Sequence, residues 1–341
     1  MDPQTWFHER ATAYVSTQML FHLGRAGVFA VLAEGPNTPE VIAGRLGLDA
    51  GVLATCLDYV VGVEPLLERT GDGAVGLTEL GHAVLARFGR DTAEGLRVNL
   101  FDVRVGAYGP VWQGLGGMLD GSTPYGQGVE RAGGEAATAL YTVCTRMAPA
   151  LREVIAELGV TKAIELGVTT GLLEHLSGMG LQLNGLDRSP DALEDAERRR
   201  ARAGADPVRW IAHDLFDPTW ADSLGSDTPG VIFSVHFHEI LAGGEDRLVS
   251  LLAALAERLP GWFVVAMEQP RLPETAEATT SRSEWLYAQS NVLIHHLIGN
   301  GQILTDHQWS ALFARGGLKQ VQIQEMNFLG YRSHAYRFPR R

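Results

Sequence analysis

The sequence predicts an α/β chain: a doubly wound, mostly parallel sheet preceded by a largely helical N-terminal domain. Three observations predict it. From Thr161 onward, short apolar strands alternate with helices across short connections. The first of those strands runs into a glycine-bearing turn, and the next two end in acids. Before residue 134 the pattern is helical with one hairpin signal.

The bulk properties bound the answer. A chain of 341 residues suits about two domains. With 45% hydrophobic and 20% charged residues it reads as globular rather than disordered. The net charge of -12 repels phosphate backbones, which argues against nucleic acid and for a small-molecule substrate. The one dense basic run, Arg198-Arg199-Arg200 with Arg202, reads as the solvated face of a helix. Cys56 and Cys144 stand far apart in apolar, helical surroundings and read as free thiols. The N-terminus carries neither a basic n-region nor an apolar h-region, and no apolar run approaches about 18 residues. The expectation is therefore a cytoplasmic protein with no membrane partner.

The N-terminal elements follow from periodicity. Tyr14, Met19, Leu20, Leu23, Val28, Phe29 and Leu32 mark an amphipathic helix pair broken at Gly27. Asn37 or Thr38 caps the next helix, with Pro39 in its first turn. Gly47 separates it from a helix opening at Asp49. The stretch after it predicts a hairpin turning at Gly71-Asp72-Gly73. Helix, helix, hairpin is a winged-helix pattern. The helix Asp49 to Val61 has no Lys or Arg, however, so it is a poor reader of DNA. Dimerisation or substrate-lid packing suits it better. Residues 85–130 read as short helices with a glycine-rich loop over 115–128, and a linking helix runs from about Gly134 to Leu158. The expected division is therefore 1–133, a linking helix 134–159, and 160–341.

The C-terminal elements alternate. KAIELG is a strand, GLLEHLSGM a helix, and LQLNGLD a strand. The helix from Ser189 has that serine as N-cap, Pro190 in the first turn and Gly204 as its stop. PVRWIAHD and PGVIFSV are strands, EDRLVSLLAALAERL is a helix, and GWFVVAMEQ is a strand. Two more helices precede LKQVQIQEM and YRSHAYRF, which lie close enough to pair antiparallel at the sheet edge.

In such sheets ligands bind beyond the carboxyl ends of the strands. The first strand ends Glu165-Leu166-Gly167-Val168-Thr169-Thr170-Gly171, and a helix comes next. Gly167 permits a sharp turn, and Gly171 a close approach at the helix start. Asp187 ends the second strand, where a carboxylate can accept both hydroxyls of a ribose. Asp214 and Leu215 close the third. This set resembles the class I S-adenosylmethionine (SAM)-dependent methyltransferases, whose first motif is acid-x-Gly-x-Gly-x-Gly. With the helical first part, the whole chain resembles the two-domain, plant-type O-methyltransferase family. The resemblance implies a Rossmann-like domain, SAM as cofactor and a homodimer. It places Glu165, Gly167 and Gly171 at the methionine end, Asp187 at the ribose and Asp214 at the adenine, with Leu215 and Ser234 as further cofactor neighbours. Thr169 replaces the family's middle glycine, and a β-branched side chain there crowds the cofactor or loosens the loop.

The fourth strand runs into Ser234-Val235-His236-Phe237-His238-Glu239. His238-Glu239 matches best the family's His-Asp pair, whose histidine is the general base. A second pair, His295-His296, lies on a late helix whose face Asn291, Ile294, His295, Ile298 is spaced by three and four. Two histidines from separate elements plus a carboxylate can make an open metal site. Neighbour-paired helix histidines are the other reading of His295 and His296. Together these features resemble one branch of the family, the bacterial 2-oxo (α-keto) acid C-methyltransferases, which methylate the β-carbon of precursors of β-methyl amino acids in natural products. That resemblance implies zinc or iron on His238 with His295 or His296, and Glu239 as ligand or base. It also implies a cation for the substrate carboxylate, Arg131 or Arg104, and a pocket including Ile294 and Ile298. Two readings stand beside it: a metal-independent O-methyltransferase with His238 as base, and a descendant of the fold that no longer methylates.

Overall fold

The computed structural model describes residues 2–340 except 93–94, 99–100, 226, 273–280 and 327–329. Contacts divide the chain into two units, Met1–Thr142 and Val143–Arg341, so the division falls inside the helix that the sequence reads as a link.

The first unit opens with α1 (Pro3–Arg25) and α2 (Val28–Glu34). Asp2 caps α1 through its carboxylate, and Gly27 breaks the pair as the spacing predicts. Next come α3 (Pro39–Leu46), capped by Thr38, and α4 (Ala50–Val63), capped by Asp49. A short antiparallel hairpin comes after them, β1 (Leu67–Arg69) with β2 (Val75–Leu77). Buried Leu20, Phe29, Leu32, Ile42, Leu57, Val60 and Val75 join these elements into one core. After α5 (Glu79–Phe88) the expectation of short helices is only partly met. A second antiparallel pair, β3 (Gly89–Thr92) and β4 (Gly95–Val98), comes first. Its alternation is too short to register as a strand signal in the sequence. A π-helical turn (Asp102–Ala107) and the short α6 (Gly109–Gln113) and α7 (Leu115–Leu119) come next, then an irregular stretch to α8 (Gly133–Leu158). Among the described residues no single helix is long and apolar enough to cross a membrane.

The second unit is built on a seven-stranded sheet. Its strands are β5 (Lys162–Leu166), β6 (Gln182–Asp187), β7 (Val208–Ala212), β8 (Gly230–Ser234), β9 (Phe263–Glu268), β10 (Lys319–Glu325) and β11 (Arg332–Arg337), in the order β10-β11-β9-β8-β5-β6-β7. Strands β5 to β9 are parallel, and β11 inserts antiparallel between β9 and the edge strand β10. The order reverses at β5, so the carboxyl ends of β5 and β8 flank the crevice where such sheets bind ligands. The helices are α9 (Leu172–His175), α10 (Pro190–Ala203), α11 (Phe237–Ile240), α12 (Glu245–Arg258), α13 (Arg282–Leu297) and α14 (Asp306–Arg315). Alternate strand residues Ile164, Ile232, Val264 and Tyr336 pack against Leu248, Leu252, Trp309 and Phe313 from α12 and α14. On the other face Val168 packs with Leu193 and Ala196 of α10.

The basic run departs in part from its expected solvated face. Arg198 and Arg202 stay exposed, and Arg198 pairs with Glu194 and Asp195. Arg200 bonds Glu197 and the Ala205 carbonyl, and the Arg200 and Trp210 bonds pull the Glu197 carboxyl down to about 2. Arg199 turns inward and donates 2.8 Å to the Val168 carbonyl. Long arginine stems cover apolar surface while their heads find carbonyls, which a charge pattern alone does not reveal. Both cysteines are free thiols; Cys144 is buried and Cys56 half-buried.

Candidate active site

The cofactor-side residues lie at the carboxyl ends of β5 to β8. Gly167 leaves β5 with φ 81°, and residues 168–170 form one 3-10 turn before Gly171. Three hydrogen bonds hold this turn. Thr170 Oγ1 donates to the Glu165 carboxylate, Arg199 holds the Val168 carbonyl, and the Val168 N–H donates 3.3 Å to Asp187. Glu165 is almost wholly buried; burial raises its carboxyl to about 8 against the opposing Thr170 bond. Asp187 also accepts from the Ser189 N–H at 2.9 Å, so one carboxylate joins the glycine turn to the start of α10. Asp214, past β7, is exposed and accepts from the Phe216 N–H, with half-buried Leu215 beside it. Ser234 is fully buried; its hydroxyl donates 2.8 Å to the Leu166 carbonyl and accepts from the His236 N–H. It ties the two switch-point strands together and aims the chain into α11.

Phe237, Ile240 and Leu241 anchor α11 in the core, and the Phe237 ring packs edge-on against Phe313. Core burial on that side leaves His236, His238 and Glu239 half-buried. His238 and Glu239 do not pair with each other. His238 Nδ1 lies 2.7 Å from the carboxylate of Glu268, buried at the end of β9, which also accepts from the His238 N–H. Glu239 accepts 2.7 Å from Asn300 Nδ2 and lies 3.6 Å from His236 Nδ1. Burial alone would raise the Glu239 carboxyl, but the neighbouring His236 and His238 and the Asn300 bond hold it well below the usual range.

The late helix α13 brings His295 to the same place. His295 is buried, its ring edge-to-face with His238 at 4.5 Å between centroids. Ile294 and Ile298 are buried beside it, as the helical face predicts. His296 points elsewhere and is exposed, one residue and about 100° around the helix. His295 Nδ1 lies 3.2 Å from the Asn300 carbonyl. A carbonyl only accepts, so that nitrogen carries a proton. A carboxylate on Nδ1 of His238 places a proton there too. The site thus presents two imidazoles, each protonated on Nδ1, from separate elements. Among the described residues no three His, Cys, Asp or Glu side chains converge as a metal-binding group.

Arg104 and Arg131 belong to the first unit. Both are half-buried, and the Ala132 N–H donates 2.9 Å to the Ala107 carbonyl, which ties their two segments. Sequence reasoning missed Glu268 and Asn300, and it read Arg199 only as part of a solvated face. Glu268 had a legible signal: an acid ending a strand, as at Asp187, at the edge where ligands bind.

No family model matches the sequence. The chain is 25% identical over 319 residues to 2-ketoarginine methyltransferase of Streptomyces arginensis, covering 90% of this chain and 86% of that protein. Among solved structures it resembles mitomycin 7-O-methyltransferase MmcR with a TM-score of 0.69, at 16% identity over 98% of this chain and 97% of that one. It also resembles human N-acetylserotonin methyltransferase in complex with SAM, at TM-score 0.66, 18% identity and 99% of each chain. An O-methyltransferase family protein of Burkholderia thailandensis gives 0.67 at 15% identity, over 100% of this chain and 99% of that one. The chain therefore has the two-domain fold of the plant-type O-methyltransferases, a class I SAM-dependent methyltransferase fold with a helical N-terminal region.

Proposed function

We propose that this chain is a SAM-dependent methyltransferase that methylates the β-carbon of a 2-oxo acid, a precursor of a β-methyl amino acid in a natural product. The single observation that carries the carbon acceptor is the edge-to-face His238–His295 pair. The sequence relative, named for methylating a 2-oxo acid, supports the same reading.

A carbon nucleophile needs a proton lost beside a ketone and an enolate held while the methyl group arrives. We assign His238 and His295 as the residues that would hold zinc or iron. Such an ion would supply Lewis acidity toward a 2-oxo acid. The chain's own contribution is orientation: Glu268 and the Asn300 carbonyl fix the two rings. Glu239, its carboxyl held low by His236 and His238, balances positive charge beside them. His296, exposed on another side of α13, is left out of the set. Glu165, Gly167, Gly171, Asp187, Asp214, Leu215 and Ser234 take the cofactor. Arg131, with Arg104 second, takes the substrate carboxylate through a planar guanidinium. The helix–helix–hairpin order supports a winged-helix role in a homodimer.

The test is methyl transfer to a panel of 2-oxo acids, 2-ketoarginine included, with the product's methyl position read by NMR and bound metal measured on the purified protein. A β-methyl product and a stoichiometric metal are expected. Activity that survives a strong chelator, with no metal bound, would overturn the metal assignment. The His238–Glu268 pair favours one second reading: a metal-independent O-methyltransferase in which His238 Nε2 takes a hydroxyl proton and Glu268 stabilises the imidazolium. It predicts a phenolic or polyketide substrate and chelator-resistant turnover.

A further inference from the structure

Between the cofactor turn and His295 runs a line of contacts through His236, Glu239 and Asn300. Gly167 holds φ 81°, and a Cβ built there would sit 3.0 Å from the ring of His236. A side chain at position 167 would therefore press on the His236 imidazole, which lies over the first glycine of the turn. Ser234 fixes that arrangement, since its hydroxyl both accepts from the His236 N–H and donates to the Leu166 carbonyl one residue before the turn. His236 Nδ1 faces Glu239 Oε2 at 3.6 Å, an ion-pair separation rather than a hydrogen bond. The other oxygen, Oε1, accepts from Asn300 Nδ2 at 2.7 Å. Asn300 in turn holds His295 at both ends: its carbonyl accepts from Nδ1, and its N–H donates 3.1 Å to the His295 carbonyl.

The segment that carries Asn300 is itself clamped. A Cβ on Gly301 would lie 1.6 Å from the His238 carbonyl oxygen, and Gln302 N–H donates 3.1 Å to that same carbonyl. No side chain fits at position 301, so the segment cannot lift without breaking its bond to α11. Asn300 is thus pressed between the helix of His238 and the helix of His295.

We propose that Asn300, Glu239 and His236 form a positioning bridge that couples occupancy of the cofactor turn to the setting of His295. The proposal rests on the reading of that turn as the SAM site. None of the three residues is assigned to contact the methyl acceptor; each acts through its neighbour. Packed contacts of this kind pass on a displacement because close-packed groups have discrete arrangements rather than soft ones. Binding that reorganises Gly167 must move His236, which rests on it, and with it the charge partner of Glu239.

The test is an S-adenosylhomocysteine titration of the full chain, followed by long-range proton–nitrogen NMR of the histidine rings. Signals are assigned with His236→Asn and His295→Asn. In the wild type both rings are expected to shift on binding. Asn300→Ala removes only the link to Glu239 and keeps the backbone carbonyl for His295. In that variant His236 is expected to shift as before, and the His295 shift to be lost. Glu239→Gln is the second variant: its amide oxygen still accepts from Asn300 but its charge is gone, and a diminished His295 shift is expected. Binding with an unmoved His295 in the wild type overturns the bridge alone, as does an undiminished His295 shift in both variants. Absence of binding in the wild type overturns the cofactor reading and the bridge together. The identity of the methyl acceptor does not enter the measurement.

Discussion

His238 on α11 and Glu268 at the end of β9, 30 positions apart, meet with Nδ1 2.7 Å from the carboxylate. Glu268 accepts from the His238 backbone as well, so it fixes both the ring and the turn that carries it. Glu268→Gln is expected to lower kcat by about 10–100-fold. His238→Asn should cost about 10²–10⁴-fold if the ring moves a proton. Both variants should keep wild-type affinity for S-adenosylhomocysteine by calorimetry. A Glu268→Gln enzyme with wild-type kcat would remove Glu268 from the mechanism.

Glu165 gives the stability a definite pH slope. Burial raises its carboxyl from 4.5 to about 8, so the folded chain holds a proton there that the unfolded chain releases. Its contribution is fully present below the unfolded value and is lost as pH rises through about 8. Thermal melts from pH 5 to pH 8.5 are expected to show the wild type losing stability relative to Glu165→Gln. Parallel curves would show that the carboxyl is not neutral in the folded protein.

Asp187 serves both the turn and, in the proposed site, the ribose. Asp187→Ala is expected to weaken S-adenosylhomocysteine binding by about 10–100-fold, the loss of a hydrogen bond to a charged group. If calorimetry finds unchanged affinity while melting falls, the carboxylate serves only the N–H groups of Val168 and Ser189.

Gly301→Ala tests the clamp on α11. The added methyl collides with the His238 carbonyl, so the segment must move. A destabilisation of about 1–3 kcal/mol in denaturant melts is expected, with loss of turnover. A variant that melts and turns over like the wild type would show that the segment is free to shift.

Much of the fold was legible because it rests on local chemistry. Thr38, Asp49 and Ser189 cap helices through their own side chains, and Gly204 stops α10 in the left-handed conformation. The pair β3–β4 was not legible, since four residues per strand leave too little periodicity to separate from a loop.

The sequence by itself determined the alternation of strands and helices, and hence that Glu165, Asp187, Asp214 and His238 gather at one edge of the sheet. That arises from the parallel sense of the strands, which short helical connections impose. It also determined that His295 and Ile298 share a helical face. Only the tertiary structure decided which carboxylate meets which imidazole. Glu239 follows His238 directly, yet successive residues on a helix diverge by about 100°, and Glu239 turns to His236 and Asn300 instead. Glu268 reaches His238 because β9 lies beside β8, a pairing of distant segments that no local pattern encodes. The same holds for Asn300, whose place against α11 depends on the packing of α13.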